Sequence, residues 1–103
     1  MNKDELIKLF VERLKIADKE AELRASAILR LKEALGEGEV KFSYIKSDGT
    51  ERVARGTLKS DRLPEVKGTG RPTNFDLQLY FDLDKQSFRC FKKVNFIKII
   101  ETL

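Results

Sequence analysis

Histidine is absent from this chain, which also has no tryptophan and a single cysteine, Cys90. Histidine is the usual general base, the commonest metal ligand and the usual partner of a serine or cysteine nucleophile. One thiol forms no internal disulfide, and without histidine it makes no structural zinc site. We therefore expect a non-enzymatic protein with no metal and no cofactor, in which Cys90 is a core residue.

Long apolar runs are missing as well. No stretch approaches the roughly 20 residues that a membrane span requires. The N-terminus, MNKDELIKLF, is charged and lacks the apolar core of a signal peptide. We therefore expect a soluble, cytoplasmic protein. Lysine and arginine number 21 against 17 acidic residues, a mildly basic balance that permits binding to a polyanion without requiring it.

Residues 2–35 have a helical pattern. Asn2 and Glu5 have the spacing of a capping box, and Gly36 and Gly38 end the pattern. Two interpretations remain open: one long helix, or two helices broken near Asp18, of which we prefer the helical hairpin. An apolar stripe recurs at steps of three and four: Leu6, Phe10, Leu14, Ala17, Ala21, Ala25, Ile28 and Leu35. This stripe is either core or the surface for a protein partner or homodimer through residues 6–35.

From Val40 the pattern changes to the alternation of strands. We predict strands at 40–45, 52–59, 77–82, 87–91 and 96–100, with a tight hairpin turn at Asp48-Gly49. In the third strand Tyr80 alternates with Leu79 and Phe81, which favours placing it on the outer or ligand face. Gly56 suits a bend or bulge. The expected fold is α+β, with a helical segment over 1–36 and a five-stranded antiparallel SH3/Sm-like barrel over 39–103.

A basic segment lies at 52–71. Its cations are Arg52, Arg55, Lys59, Arg62, Lys67 and Arg71, against the acids Asp61 and Glu65. It contains a loop with Gly68 and Gly70, whose backbone could also face an anion. One interpretation is a solvated charged surface, and the other is phosphate contact with nucleic acid or another polyanion.

Tyr44, Tyr80 and Arg89 form a second candidate set. Exposed aromatic rings beside an arginine stack bases and bind phosphate in small barrels. The alternative is that both tyrosines pack at the barrel rim with their hydroxyls satisfied. A third cluster contains Asp76, Asp82 and Asp84, which we interpret as turn residues rather than a cation site.

These segments together resemble a known family. The residues that carry the resemblance are Tyr44, Asp48-Gly49-Thr50, Gly56-Thr57-Leu58, Gly68, Gly70, Tyr80-Phe81-Asp82 and Phe88-Arg89-Cys90-Phe91. They are similar to the WYL-like, Sm-like SH3 beta-barrel family of bacteria and phages, over about residues 39–98. The Trp-Tyr-Leu tripeptide of the larger WYL family would fall at Leu79-Tyr80-Phe81, and the arginine of its later strand at Arg89.

The resemblance implies a regulatory module that binds nucleic acid or a small anionic ligand. The residues expected to bind it are Tyr44, Arg52, Arg55, Lys59, Lys67, Arg71, Tyr80 and Arg89. The alternative is a protein-interaction or oligomerisation module that uses the amphipathic helical arm.

Overall fold

The structure, a computed structural model, describes residues 2–64 and 75–103. Two helices, α1 (Lys3–Leu14) and α2 (Asp18–Glu37), precede five strands. The strands are β1 (Val40–Ile45), β2 (Glu51–Thr57), β3 (Leu77–Asp82), β4 (Ser87–Lys92) and β5 (Phe96–Thr102). They form one antiparallel sheet in the order β4-β3-β2-β1-β5. The α+β prediction is confirmed.

The N-terminal pattern folds as two helices. Asn2 and Glu5 make the expected capping box, in which the Asn2 side chain accepts from the Glu5 backbone N–H at 2.9 Å. Helix α1 ends where Lys15 adopts a left-handed conformation, with φ of 55°. Ala17, rather than Asp18, occupies the cap position of α2. The carboxylate of Asp18 instead lies in the first helical turn, next to the positive end of the helix dipole.

The apolar stripe of the helices lies against the sheet. Its buried members are Leu6, Phe10, Ala21, Ala25, Ile28 and Leu35, whereas Leu14 is half-buried and Ala17 is exposed. Together with Leu31, the buried members share one hydrophobic core with the strand residues Phe42, Tyr44 and Tyr80. Small side chains at Ala21 and Ala25 permit close approach of the helix to its neighbours. The core interpretation of the stripe is confirmed, so a partner of these helices would have to contact a different face.

The turn between β1 and β2 forms as predicted. Gly49 has a φ of +89°, a conformation that favours glycine. The Asp48 carboxylate accepts from the hydroxyl of Thr50 at 2.6 Å and from its backbone N–H at 3.0 Å. These two hydrogen bonds lower the pKa of Asp48 below its ordinary value. The turn fixes the pairing of β1 with β2, which continues from Ile45↔Glu51 to Val40↔Gly56.

The outward placement of Tyr80 is wrong. Its side chain is fully buried, as is that of Asp82, and Gln78 on the same face of β3 is also buried. Gly56 makes room for this ring, because a Cβ at that position would lie 2.6 Å from Cδ2 of Tyr80. Gly56 therefore serves a close approach between β2 and β3, and it pairs with Val40 and Asp82 without the register shift of a bulge. The inward face of β3 therefore carries Gln78, Tyr80 and Asp82, where apolar alternation favours the face of Leu77, Leu79 and Phe81, although Phe81 is buried as well.

Strand β5 follows a 3₁₀ turn at Lys93–Asn95 and continues to Thr102, two residues beyond the predicted end. It pairs with β1, with register shifts between Lys41 and Phe42 and between Ser43 and Tyr44. Within the described residues, neither helix has the length and apolar character needed to cross a membrane.

Candidate functional site: a basic groove beside β4

A groove of about 470 Å³ lies between the β1–β2 hairpin and β4. Four cationic side chains line it: Lys46, Arg52, Arg89 and Lys92. The other lining residues are Tyr44, Ile45, Ser47, Leu77, Cys90, Phe91 and Asn95, and none of them is acidic. The pairing of the strands explains why a groove lies here. Strands β3 and β4 pair from Leu77↔Lys92 to Asp82↔Ser87, whereas β2 pairs with β3 only at Gly56 and Thr57.

Arg52 is the most firmly held of these cations. Its guanidinium donates to the Asp82 carboxylate and to the hydroxyl of Tyr80 at 3.1 Å. A third, longer contact of 3.4 Å reaches the hydroxyl of Tyr44. The Arg52 side chain is 18% exposed. Such a network fixes the guanidinium before any ligand arrives, which lowers the entropy cost of binding.

Asp82 is the buried anion beneath this groove. Burial raises the pKa of its carboxyl, but the backbone N–H of Lys85 and the ion pair with Arg52 outweigh that effect and hold the pKa below its ordinary value. Its carboxylate accepts from the backbone N–H groups of Asp84 and Lys85, each at 2.9 Å. The Arg89 Nε lies 4.0 Å from the same carboxylate. Two arginines therefore converge on one ionised aspartate.

The two tyrosines support the groove from within the core. Their hydroxyls are 2.8 Å apart, and the Tyr44 ring stacks on Phe91 with centroids 4.5 Å apart. Burial, followed by the hydrogen bond to Tyr44, raises the pKa of Tyr80, so its hydroxyl stays neutral. Neither ring presents a free face for a base. Both hydroxyls are paired, as the alternative predicted, although the rings lie in the core and not at the barrel rim, and neither ring is exposed as the stacking interpretation assumed.

Cys90 lies at the surface. Its side chain is exposed and lines the groove, so the expectation that it is a core residue is wrong. The physical reason is the alternation of β4, in which Phe91 takes the buried position and its neighbour in the strand points the other way.

The other described cations of the basic segment have acidic neighbours. Arg55 lies 2.9 Å from Glu39 and 3.6 Å from Asp84. Lys59 lies 3.9 Å from Asp61, and Arg62 lies 3.8 Å from Glu39. Lys67, Arg71, Gly68 and Gly70 lie outside the described residues. The structure thus brings Arg52 and Arg89 together in the groove and places Arg55 and Lys59 elsewhere.

Sequence reasoning missed Lys46 and Lys92. Lys46 immediately precedes the hairpin turn and Lys92 ends β4, so neither belonged to the basic segment. A usable signal was the occurrence of two cations, Arg89 and Lys92, in one predicted strand and its end. The three aspartates do not form a cluster, since Asp76, Asp82 and Asp84 contact Arg13, Arg52 and Arg55 respectively.

Comparison with known proteins gives a family. No curated protein and no solved structure matches the chain. A family model described as WYL_2, Sm-like SH3 beta-barrel fold, matches residues 28–97. The match begins inside α2 and so includes part of the helical segment, beyond the resemblance noted from the strands. Because it covers more than half of the sequence, the chain belongs to the WYL_2 family of Sm-like SH3 beta-barrel proteins.

Proposed function

We propose that this chain is a non-enzymatic regulatory module whose basic groove binds a phosphate-bearing ligand, either nucleic acid or a smaller anion. The observation that carries the proposal is the convergence of four cations on one groove, with no carboxylate among the described residues that line it. Phosphate oxygens accept charge-assisted hydrogen bonds, and arginine offers them a planar pair of donors.

The charge balance of the groove favours an anion. Among the described residues that line it or contact its cations from below, Asp82 is the carboxylate shared by Arg52 and Arg89. Lys92 adds a further positive charge, as does Lys46, which lies 4.0 Å from the exposed carboxylate of Asp48. Cations that share a low-dielectric wall focus a positive potential into the space between them.

Arg52 and Arg89 have different roles in the proposed site. Arg52 is held by Asp82 and two hydroxyls, so it forms a fixed positive base to the groove. Arg89 is 47% exposed and makes one long contact, so it is available to form a bidentate pair with phosphate. Lysines at the rim contribute mainly to attraction over distance.

Phosphate contacts rather than base contacts are expected to dominate. Tyr80 is buried beneath the groove, and Tyr44 is stacked on Phe91. Without an exposed ring, the groove lacks the stacking surface that gives single-stranded binders much of their affinity. We therefore expect weak dependence on base identity and strong dependence on salt.

The test is a titration monitored by fluorescence anisotropy, with a fluorescein-labelled oligonucleotide and the variants Arg89→Glu and Lys8→Glu. Both substitutions change the charge by the same amount, but Lys8 lies on an exposed part of α1. Loss of a charged hydrogen bond predicts about tenfold or more weaker binding for Arg89→Glu and little change for Lys8→Glu. Equal effects of the two variants would refute the groove as the site.

Competition separates the two sources of phosphate. If ATP or inorganic phosphate binds the groove and the oligonucleotide does not, the ligand is a small anion. If the oligonucleotide binds and free phosphate competes only at high concentration, the ligand is nucleic acid. Binding of neither at low salt would contradict the proposed function.

A further inference from the structure

We propose that the groove between α2 and β5 binds an extended segment of a partner protein, rich in apolar and acidic residues, which pairs with the edge of β5. This surface adjoins the phosphate groove at Ile45 and Asn95 but is otherwise lined by different residues, and it suits a different kind of partner. The inference does not depend on the proposed function.

Two cavities, of about 620 Å³ and 380 Å³, make up this groove. Both are lined by Ala27, Phe96 and Ile97, so they join along α2 and β5. Leu23 is 68% exposed and Ile97 is 40% exposed, and both line the larger cavity. These two large apolar side chains lie on facing elements and form an apolar surface. An apolar chain that binds there would cover this surface and remove it from contact with water.

Strand β5 lies at one end of the sheet. Its partner within the described residues is β1, so its outer edge is open to further pairing there. An edge strand offers a row of backbone donors and acceptors to an incoming extended chain. Peptide addition to such an edge gives affinity through the backbone and specificity through alternate side chains. Helix α2 forms the opposite wall, against which those side chains would pack.

The charges of the groove indicate an acidic partner. Arg24 lines the larger cavity, and Arg30 and Lys98 line the smaller one, while Glu20 is the acidic residue of the lining. The Arg24 side chain reaches Glu20 only through a 3.6 Å contact of its Nη2. Its Nε is buried and has no hydrogen-bond acceptor among the described residues. The Arg24 side chain as a whole is 42% exposed, so a carboxylate of the partner can pair with the accessible part of its guanidinium.

The same charges disfavour the β4 edge of a second copy of this chain as the occupant. The other end of the sheet is β4, which carries Arg89 and Lys92 and no acidic residue. Its addition to β5 would bring these cations to Arg30 and Lys98. Like charges placed opposite each other on paired strands are destabilising. A heterologous acidic segment removes the conflict.

A selection experiment tests the proposal and needs no identified partner. A random dodecapeptide library displayed on phage is selected on the full chain, after depletion on Ile97→Glu. We expect enriched peptides that alternate apolar with acidic residues. Synthetic copies should bind Ile97→Glu about tenfold or more weakly. The matched control is Val53→Glu, an exposed apolar strand residue outside both grooves, which should bind like the wild type.

A second variant keeps the proposal testable if Ile97→Glu fails to fold. Arg24→Gln removes the charge near the groove and should weaken the same peptides, while Arg89→Glu should leave them unchanged. The proposal is overturned if no peptide is enriched on the wild-type chain relative to Ile97→Glu. It is overturned as well if the recovered peptides are basic. It is also overturned by analytical ultracentrifugation that finds a wild-type dimer abolished in Ile97→Glu, since the occupant would then be a second copy.

Discussion

Gly56 determines where the ring of Tyr80 lies. An added Cβ would come within 2.6 Å of Cδ2 of Tyr80 and 3.2 Å of the carbonyl oxygen of Phe81. A fully buried aromatic ring and a paired strand have little freedom to move, so Gly56→Ala forces a shift in the core. We expect a loss of about 1–3 kcal/mol in the free energy of unfolding, measured by urea denaturation.

Gly36 supplies the control for that substitution. It lies in the last turns of α2, and nothing lies within 4 Å of a Cβ added there. Because alanine favours helix over glycine, Gly36→Ala should stabilise the protein by up to about 1 kcal/mol. If Gly56→Ala proves as stable as the wild type, the close approach of β2 to Tyr80 is incorrect.

Asp82 links the groove to acid stability. Burial raises its pKa, but the Lys85 backbone N–H and Arg52 outweigh that effect, so the folded pKa lies below the unfolded value. The stabilisation is therefore fully present above the unfolded pKa, and it is lost as the pH falls through the folded one. We expect Asp82→Asn to be less stable at pH 7 by about 3 kcal/mol, because Arg52 loses its anion.

The measurement is the urea midpoint as a function of pH from neutral to acidic. The wild type should lose stability below about pH 4, where an unfolded aspartate takes up its proton. Asp82→Asn should lose less over that range. Equal slopes for the two proteins would mean that Asp82 is not held ionised by the network.

At the scale of elements, Lys93 joins the 3₁₀ turn before β5 to the two residues that precede β3. Lys93 is buried, and its ammonium donates to the carbonyl of Phe75 at 2.6 Å, while its backbone N–H donates to the carbonyl of Asp76 at 2.8 Å. Burial, and then the charge of Lys32, lowers the pKa of Lys93 to about 8, against the opposing effect of Asp76. The folded state therefore binds fewer protons than the unfolded state above pH 8.

This difference makes stability rise with pH. Between the folded pKa of about 8 and the ordinary lysine value of 10.5, unfolding takes up a proton, so the free energy of unfolding increases as the pH increases. We expect a rise between pH 7.5 and about 9.5, before unfolded tyrosines ionise. Lys93→Met should show no such rise. A wild-type profile that is flat or falling over this range contradicts the account.

Local signals explain which elements were predictable. The capping box at Asn2, the Asp48-Gly49 turn and the strand limits of β3 all depend on residues near in sequence, and all were confirmed. The inward face of β3 was not predictable, because Tyr80 and Asp82 are buried by partners far along the chain. Arg52, which satisfies both, is 28 and 30 residues away. Residue type alone favours a polar side chain outside, whereas a complete hydrogen-bond network permits it inside.

The whole molecule has one core, which the helices and the sheet share. Phe10, Ala25 and Ile28 from the helices are buried together with Phe42 and other strand residues. A fragment that begins at Gly38 would expose this apolar surface and leave too small a core. We expect no cooperative urea transition for the fragment, monitored by circular dichroism. A cooperative transition with the midpoint of the full chain would mean that the sheet folds independently of the helices.

Charge at the scale of the molecule gives the central test. The protein has a net charge of +4, but the account assigns anion binding to the groove of Lys46, Arg52, Arg89 and Lys92 and not to that general excess. For a phosphate site, the logarithm of the binding constant falls linearly with the logarithm of salt concentration, with a slope of about one for each phosphate contacted.

The most direct measurement is therefore this salt slope for an oligonucleotide, in the wild type, Arg89→Glu and Lys8→Glu. We predict a slope of about two to four in magnitude for the wild type, about one unit smaller in Arg89→Glu and unchanged in Lys8→Glu. A slope near zero, or one reduced equally by both variants, would contradict the assignment of phosphate binding to the groove.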